Sequence, residues 1–158
     1  MSKWLNFTNH KLYQARLLLD QRDRVYEPVA MIDGLEQGAL YLMYDAYRSY
    51  LNELAEIATY SETVDSLDQL LSVTPLVTGE MSELRMLKQD AFSWLSSFLN
   101  AVSNQGKPLS QQRSGVQQQA AIQMGMIPLS QEASSDARDW WQALSDLIDL
   151  QRQNHRES

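Results

Sequence analysis

A helical pattern that runs without a break from Pro28 to about Thr59 constrains this chain more than any other feature. Leu35, Ala39, Leu42, Ala46, Tyr50, Leu54 and Ile57 recur at steps of three and four, the spacing that places side chains on one face of an α-helix. Leu40, Met43, Tyr44, Tyr47 and Leu51 form a second apolar stripe beside the first. Only the third stripe, Gln37, Tyr41, Asp45, Arg48, Asn52 and Glu56, is mostly polar. A helix that is apolar around most of its circumference must be buried among neighbours. About 30 residues at 1.5 Å rise span roughly 45 Å, which sets the length of the molecule. Pro28 suits the first turn, where its missing N–H costs nothing. Gly34 and Gly38 weaken the early part by about 1 kcal/mol each relative to Ala, and they permit a close helix crossing or a kink.

The rest of the chain supplies neighbours for that central helix. A first helix is expected from Thr8 or Asn9, both good N-cap types, to Arg24. Leu12, Ala15, Leu18 and Leu19 form its apolar face, with Trp4, Leu5 and Phe7 folding back before the cap as a staple. Ser61 to Ser72 reads as a short helix ended by Pro75. Thr78 or Gly79 opens another that continues to about Ser103, with Leu84, Leu87, Ala91, Trp94, Phe98 and Val102 inward. Residues 104–130 hold seven Gln and little periodicity. This stretch reads as a connection, either mobile or packed through Val116, Ile122, Met124, Met126 and Ile127, with Gln119 to Gly125 able to form a turn of helix. The last helix covers about Gln131 to Asn154, and the polar tail from Gln151 is expected to fray. The expectation is one all-α domain over residues 1–158: an antiparallel four-helix-type bundle with an extra short helix and a long Gln-rich loop before the last helix.

Charge and residue inventory exclude several functions. Among 158 residues, 13 basic side chains face 20 acidic ones, for a net charge of −7. A general nucleic-acid binder needs clustered Lys and Arg to displace counterions, so nucleic acid is not the expected partner. Such a role would require Arg16, Arg22 and Arg24 on one exposed face. With no cysteine and only two histidines, thiolate, zinc and di-iron sites fail on ligand count, and no metal or cofactor is expected. No nucleophile motif and no Gly-rich phosphate loop is present. The longest apolar run, Ala39 to Tyr44, is far short of the ~20 residues that span a bilayer. No signal-peptide core is visible, and the expected location is the cytoplasm.

Two local features invite a site. Tyr41, Tyr44, Tyr47 and Tyr50 tempt one to posit an aromatic cage. Steps of three rotate each by about −60° relative to the last, so they spiral around the helix and are expected at the core boundary, rings inward and hydroxyls toward water. Asp45 and Arg48, one turn apart, are expected to pair on the helix surface. If the bundle has a binding pocket, the expected place is between the first two helices, near His10, Tyr13, Asp45 and Arg48. The Trp140-Trp141 pair places one ring in the core and the other toward a neighbouring helix or a partner chain.

The stretch Thr8-Asn9-His10-Lys11-Leu12-Tyr13-Gln14-Ala15 resembles the start of a family of small uncharacterised bacterial proteins, a domain of unknown function common in gammaproteobacteria. Ala39-Leu40-Tyr41-x-x-Tyr44-x-Ala46, with Glu53-Leu54-Ala55 downstream, is similar as well. So is the ending, a Leu-Ser before the last helix, then Trp141, Leu144 and Arg152. The likeness covers residues 1–60 and about the last 30, and the chain departs from it at Asp45. The family carries no assigned activity, so the resemblance transfers no site residues. It implies a variable, mobile stretch before the last helix. The functional expectation is a non-enzymatic interaction or scaffold protein, a homodimer. The alternative is a bundle that binds a small molecule or nucleotide.

Overall fold

A computed structural model describes residues 2–108 and 129–157. Among them are six helices and no strand: α1 (Lys3–Arg24), α2 (Val29–Ile57), α3 (Leu67–Val73), α4 (Gly79–Gln89), α5 (Trp94–Gln105) and α6 (Leu129–Glu157). The fold is an all-α bundle. The residues from Leu109 to Pro128, which hold most of the Gln-rich stretch, lie outside the described residues, as do the packing and mobility expected of them.

α2 is the centre of the bundle, packed against α1, α3, α5 and α6. Its contacts with α1 run in reverse order along the two helices, which makes the pair antiparallel. Thr8 meets Ser49 and Glu53, Lys11 meets Asp45, and Arg22 meets Glu36. Where α1 and α2 cross, a Cβ on Gly38 would sit 3.1 Å from Leu18 Cδ1, so the glycine serves a close approach. Against α1, α6 also runs antiparallel: Arg138 bonds Asp20 and Asp23, Trp141 Nε1 donates to the Leu12 carbonyl, and Arg152 reaches Asn9. The core collects Leu12, Ala15 and Leu19 of α1, Met43, Ala46, Leu51 and Leu54 of α2, Phe98 of α5, and Leu144 and Ile148 of α6. Each fully buried Leu, Ile, Met or Phe contributes about 1.5–3 kcal/mol.

Several boundaries differ from the sequence expectation, each for a visible reason. α1 starts five residues before Thr8, capped by Ser2, whose hydroxyl accepts from Trp4 N. Thr8 does not cap; it is fully buried and turns its hydroxyl toward α2. The long helix expected from Thr78 to Ser103 breaks at Asp90–Ser93 into α4 and α5. There Ser93 caps α5 by accepting from Ser96 N, and Ser96 Oγ lies within reach of the Leu87, Lys88 and Asp90 carbonyls. Short polar side chains that bond nearby backbone compete with helix. The helix expected over Ser61–Ser72 begins only at Leu67, because Asn52 binds the preceding loop: its amide donates to the Val64 carbonyl at 2.9 Å and its carbonyl accepts from Val64 N at 2.8 Å. Asn52, on the stripe read as polar, is therefore buried.

The tyrosines divide. Tyr41 is exposed and Tyr44 is half-buried, but Tyr47 and Tyr50 are core residues at 3% and 2% exposure. The Tyr50 hydroxyl finds its partner in the interior rather than in water. Both tryptophans of the 140–141 pair are partly buried, Trp140 against Phe98 and Trp141 on α1.

Candidate functional site

At the end of the bundle where α2 and α6 finish and α1 and α4 begin, a polar cluster lies beneath a cavity. Ser49 and Glu53 stand one turn apart on α2, so both face the start of α1. Glu53 is 5% exposed, and an unpaired carboxylate there would be costly. It is not unpaired. Arg152 grips it in a two-pronged fashion, Nε to Oε1 at 3.0 Å and Nη2 to Oε2 at 2.8 Å. Thr8 Oγ1 lies 2.7 Å from Glu53 Oε2, 2.6 Å from Ser49 Oγ and 2.8 Å from the Trp4 carbonyl. Thr8 has one hydroxyl proton, and the charged acceptor makes the strongest bond. That assigns the proton to Glu53 and leaves Ser49 to donate to the Trp4 carbonyl at 2.9 Å. The third nitrogen of Arg152, Nη1, donates to Asn9 Oδ1 at 2.8 Å.

A second chain of bonds lies beside the first. Tyr50 OH donates to Gln151 Oε1 at 2.5 Å, and Gln151 Nε2 donates to the Glu80 carbonyl at 3.3 Å and to Glu83 Oε1 at 3.2 Å. Burial pushes the Tyr50 hydroxyl well above its ordinary pKa, with the charges of Glu53 and Glu80 adding to the effect. It therefore stays protonated and acts as a donor. Gln151 and Arg152 thus fasten the end of α6 to α2, α4 and α1. The polar tail expected to fray is helical to Glu157, and Gln151 is 3% exposed.

Above these bonds opens a cavity of about 650 Å³. Leu5, Leu54 and Ile57 give it apolar walls, and Glu56, Glu80, Asp149, His155 and Arg156 bring charged and polar groups to it. Its size falls within the range of roughly 300–1,000 Å³ typical of small-molecule sites, which in bundles form between helices.

The four residues expected to form a pocket are placed elsewhere. Asp45 and Arg48 border a separate hollow of about 190 Å³, together with Trp4, Phe7, Asn52 and Thr63. They do not pair with each other: Asp45 lies 3.6 Å from Lys11, and Arg48 lies 3.0 Å from Asp65. His10 and Tyr13 do not line that hollow; both are exposed on α1, with the Arg16 guanidinium 5.3 Å from the Tyr13 ring. Nor do Arg16, Arg22 and Arg24 form an exposed basic face, because Arg22 is 6% exposed and held by Asp23 and Glu36. Among the described residues no group of three or more His, Asp or Glu is placed to hold a metal ion, and no helix is long and apolar enough to cross a membrane.

Sequence reasoning passed over Glu53, Gln151 and Arg152, although a signal was present. Glu53 follows Ala46 and Tyr50 on one α2 face at steps of four and three, and Gln151 and Arg152 continue the α6 face of Leu144 and Ile148 at steps of three and four. A polar residue on a core stripe needs a buried partner, and here each partner lies on another helix.

Thr8, Asn9, Glu53 and Arg152, which meet beneath the cavity, all come from the stretches that carry the family resemblance. No curated protein and no solved structure matches the chain. The model of a family of unknown function, DUF6586, matches residues 1–158. The chain belongs to the DUF6586 family.

Proposed function

We propose that this chain is a non-catalytic binding bundle that takes one small molecule in the cavity at the α2–α6 end. The observation that carries the reading is a cavity of about 650 Å³ with apolar walls over a hydrogen-bonded polar floor. Such a floor is pre-formed, so a ligand need not order it. Glu53 supports the non-catalytic part: its carboxylate is taken up by Arg152 and Thr8 rather than turned to a reacting group. A thermal-shift screen against metabolites and nucleotides tests the proposal, run beside Ile57→Trp. Ile57 lines the cavity but is 46% exposed, so a larger ring there fills the space without disturbing the core. A true ligand raises the melting temperature of the wild type, by about 2.7 kcal/mol of stability at 100 times its Kd, and leaves Ile57→Trp unmoved. Equal shifts in both proteins, or none from any compound, would refute the proposal.

A second reading, an interaction protein that forms a homodimer, draws on α1. Tyr13 and Leu17 are exposed on its outer side at 51% and 46%, and Phe7 is 44% exposed at the edge facing α2. Sedimentation of the wild type and of Leu17→Glu tests it: a dimer that the substitution dissociates supports the reading, and a monomeric wild type removes it.

A further inference from the structure

We infer that the ligand of this cavity is an organic cation, an aliphatic amine whose ammonium group lies in the field of Glu56, Glu80 and Asp149 and whose chain lies along Leu5, Leu54 and Ile57. The inference rests on the cavity being a ligand site and adds the sign and class of the ligand.

The argument is a comparison of charges that remain available. Four carboxylates line the cavity, from Glu53, Glu56, Glu80 and Asp149, against the guanidiniums of Arg152 and Arg156. Glu53 and Arg152 neutralise each other, and all three Arg152 nitrogens are engaged by Glu53 and Asn9. Arg152 therefore has little to offer an incoming anion. Among the described residues, no hydrogen bond or ion pair engages the carboxylates of Glu56, Glu80 or Asp149. Of the remaining basic groups at the cavity, His155 already has a partner of its own and Arg156 opposes them. It is exposed in the last turn of α6, with Nε turned to the Arg152 carbonyl at 3.4 Å.

Helix ends do not alter the balance. α1 and α4 bring positive ends to the cavity, and α2 and α6 bring negative ones. One first-turn N–H of each, Trp4 N and Met81 N, is taken by the Ser2 and Thr78 hydroxyls. The field of a chain carrying −7 adds to the local preference. The apolar walls require a hydrocarbon body, so a fully hydrated inorganic cation leaves Leu5, Leu54 and Ile57 uncovered.

Three probes of equal chain length separate charge from shape: hexylammonium, hexanoate and hexanol, each titrated into the full ¹⁵N-labelled chain and followed by amide shifts of the cavity-lining residues. Hexylammonium is expected to bind at least about tenfold more tightly than hexanoate, with an affinity that falls as salt rises. In the double variant Glu56→Gln, Asp149→Asn, its affinity is expected to drop about tenfold while that of hexanol stays unchanged. Tighter binding of hexanoate, or a variant that binds hexylammonium as well as the wild type, overturns the cationic assignment and leaves the cavity as a site. If none of the three probes moves a cavity-lining amide, the cavity reading itself falls, and the inference falls with it.

Discussion

Glu53 and Arg152 stand 99 residues apart in the chain and join in a bidentate ion pair at 3.0 and 2.8 Å, with both side chains largely withdrawn from solvent. The pair does two jobs. It holds the last turns of α6 against α2, and it forms part of the floor on which the cavity rests. Thr8 and Asn9 complete its hydrogen bonds from α1, so three helices are tied at one point.

Removing one member leaves the other buried and uncompensated. Arg152→Met is expected to cost about 3–5 kcal/mol in a urea unfolding experiment. Adding Glu53→Leu to it is expected to recover part of that loss, because no bare charge is then left in the interior. A double variant less stable than Arg152→Met would show that Glu53 is content without its partner.

Asn52 is a second buried tie, this time between neighbours in sequence. Its side chain bonds both the N–H and the C=O of Val64. Asn52→Ala is expected to cost about 2–3 kcal/mol by leaving those groups unsatisfied. The change is expected to speed amide exchange of Val64 first, measured against the core amides of α2.

These two ties explain what could and could not be read from the sequence. The bundle and its central helix were legible because a period of three to four residues persists along α2 for its whole length. The break between α4 and α5 was not, because Leu87, Ala91 and Trp94 keep helical spacing across it; Ser93 and Ser96 decide the matter by bonding backbone. The site was missed for a related reason. Thr8 looks like a cap and Arg152 like part of a loose tail when each is read with its own neighbours. Their roles come from Glu53, on another helix, and local periodicity carries no information about that meeting. Asp45 and Arg48 were sought as a pair because they are one turn apart, yet each finds an opposite charge elsewhere.

The end of α2 carries local strain. Thr59 sits at φ 63°, in the left-handed region that disfavours a β-branched side chain. Tyr60 N bonds the Ala55 carbonyl and Thr59 N the Glu56 carbonyl, a pairing that normally places glycine at this position. Thr59→Gly is expected to raise stability by about 1 kcal/mol, seen as a higher denaturant midpoint at unchanged slope. A lower midpoint would mean that the Thr59 hydroxyl bond to the Ala58 carbonyl outweighs the strain.

At the opposite end, Asp23 accepts from Arg22 and from Arg138. Burial raises its pKa, but the hydrogen bonds and charges of the two arginines outweigh that and set it below 3.8. A carboxylate with a depressed folded-state pKa stabilises the fold above its unfolded value and loses that contribution as pH falls. The loss is expected below about pH 3.8. Asp23→Asn is expected to flatten this part of the acid limb in urea midpoints taken at successive pH values. An acid limb identical to that of the wild type would remove Asp23 from the account.

The most direct test of the binding proposal is a crystal structure of the chain grown with the compound that most raises its melting temperature. The account predicts density for one molecule between Leu5, Leu54 and Ile57, above an undisturbed Glu53–Arg152 pair. The same compound bound elsewhere on the surface, over a cavity holding only solvent, would contradict it.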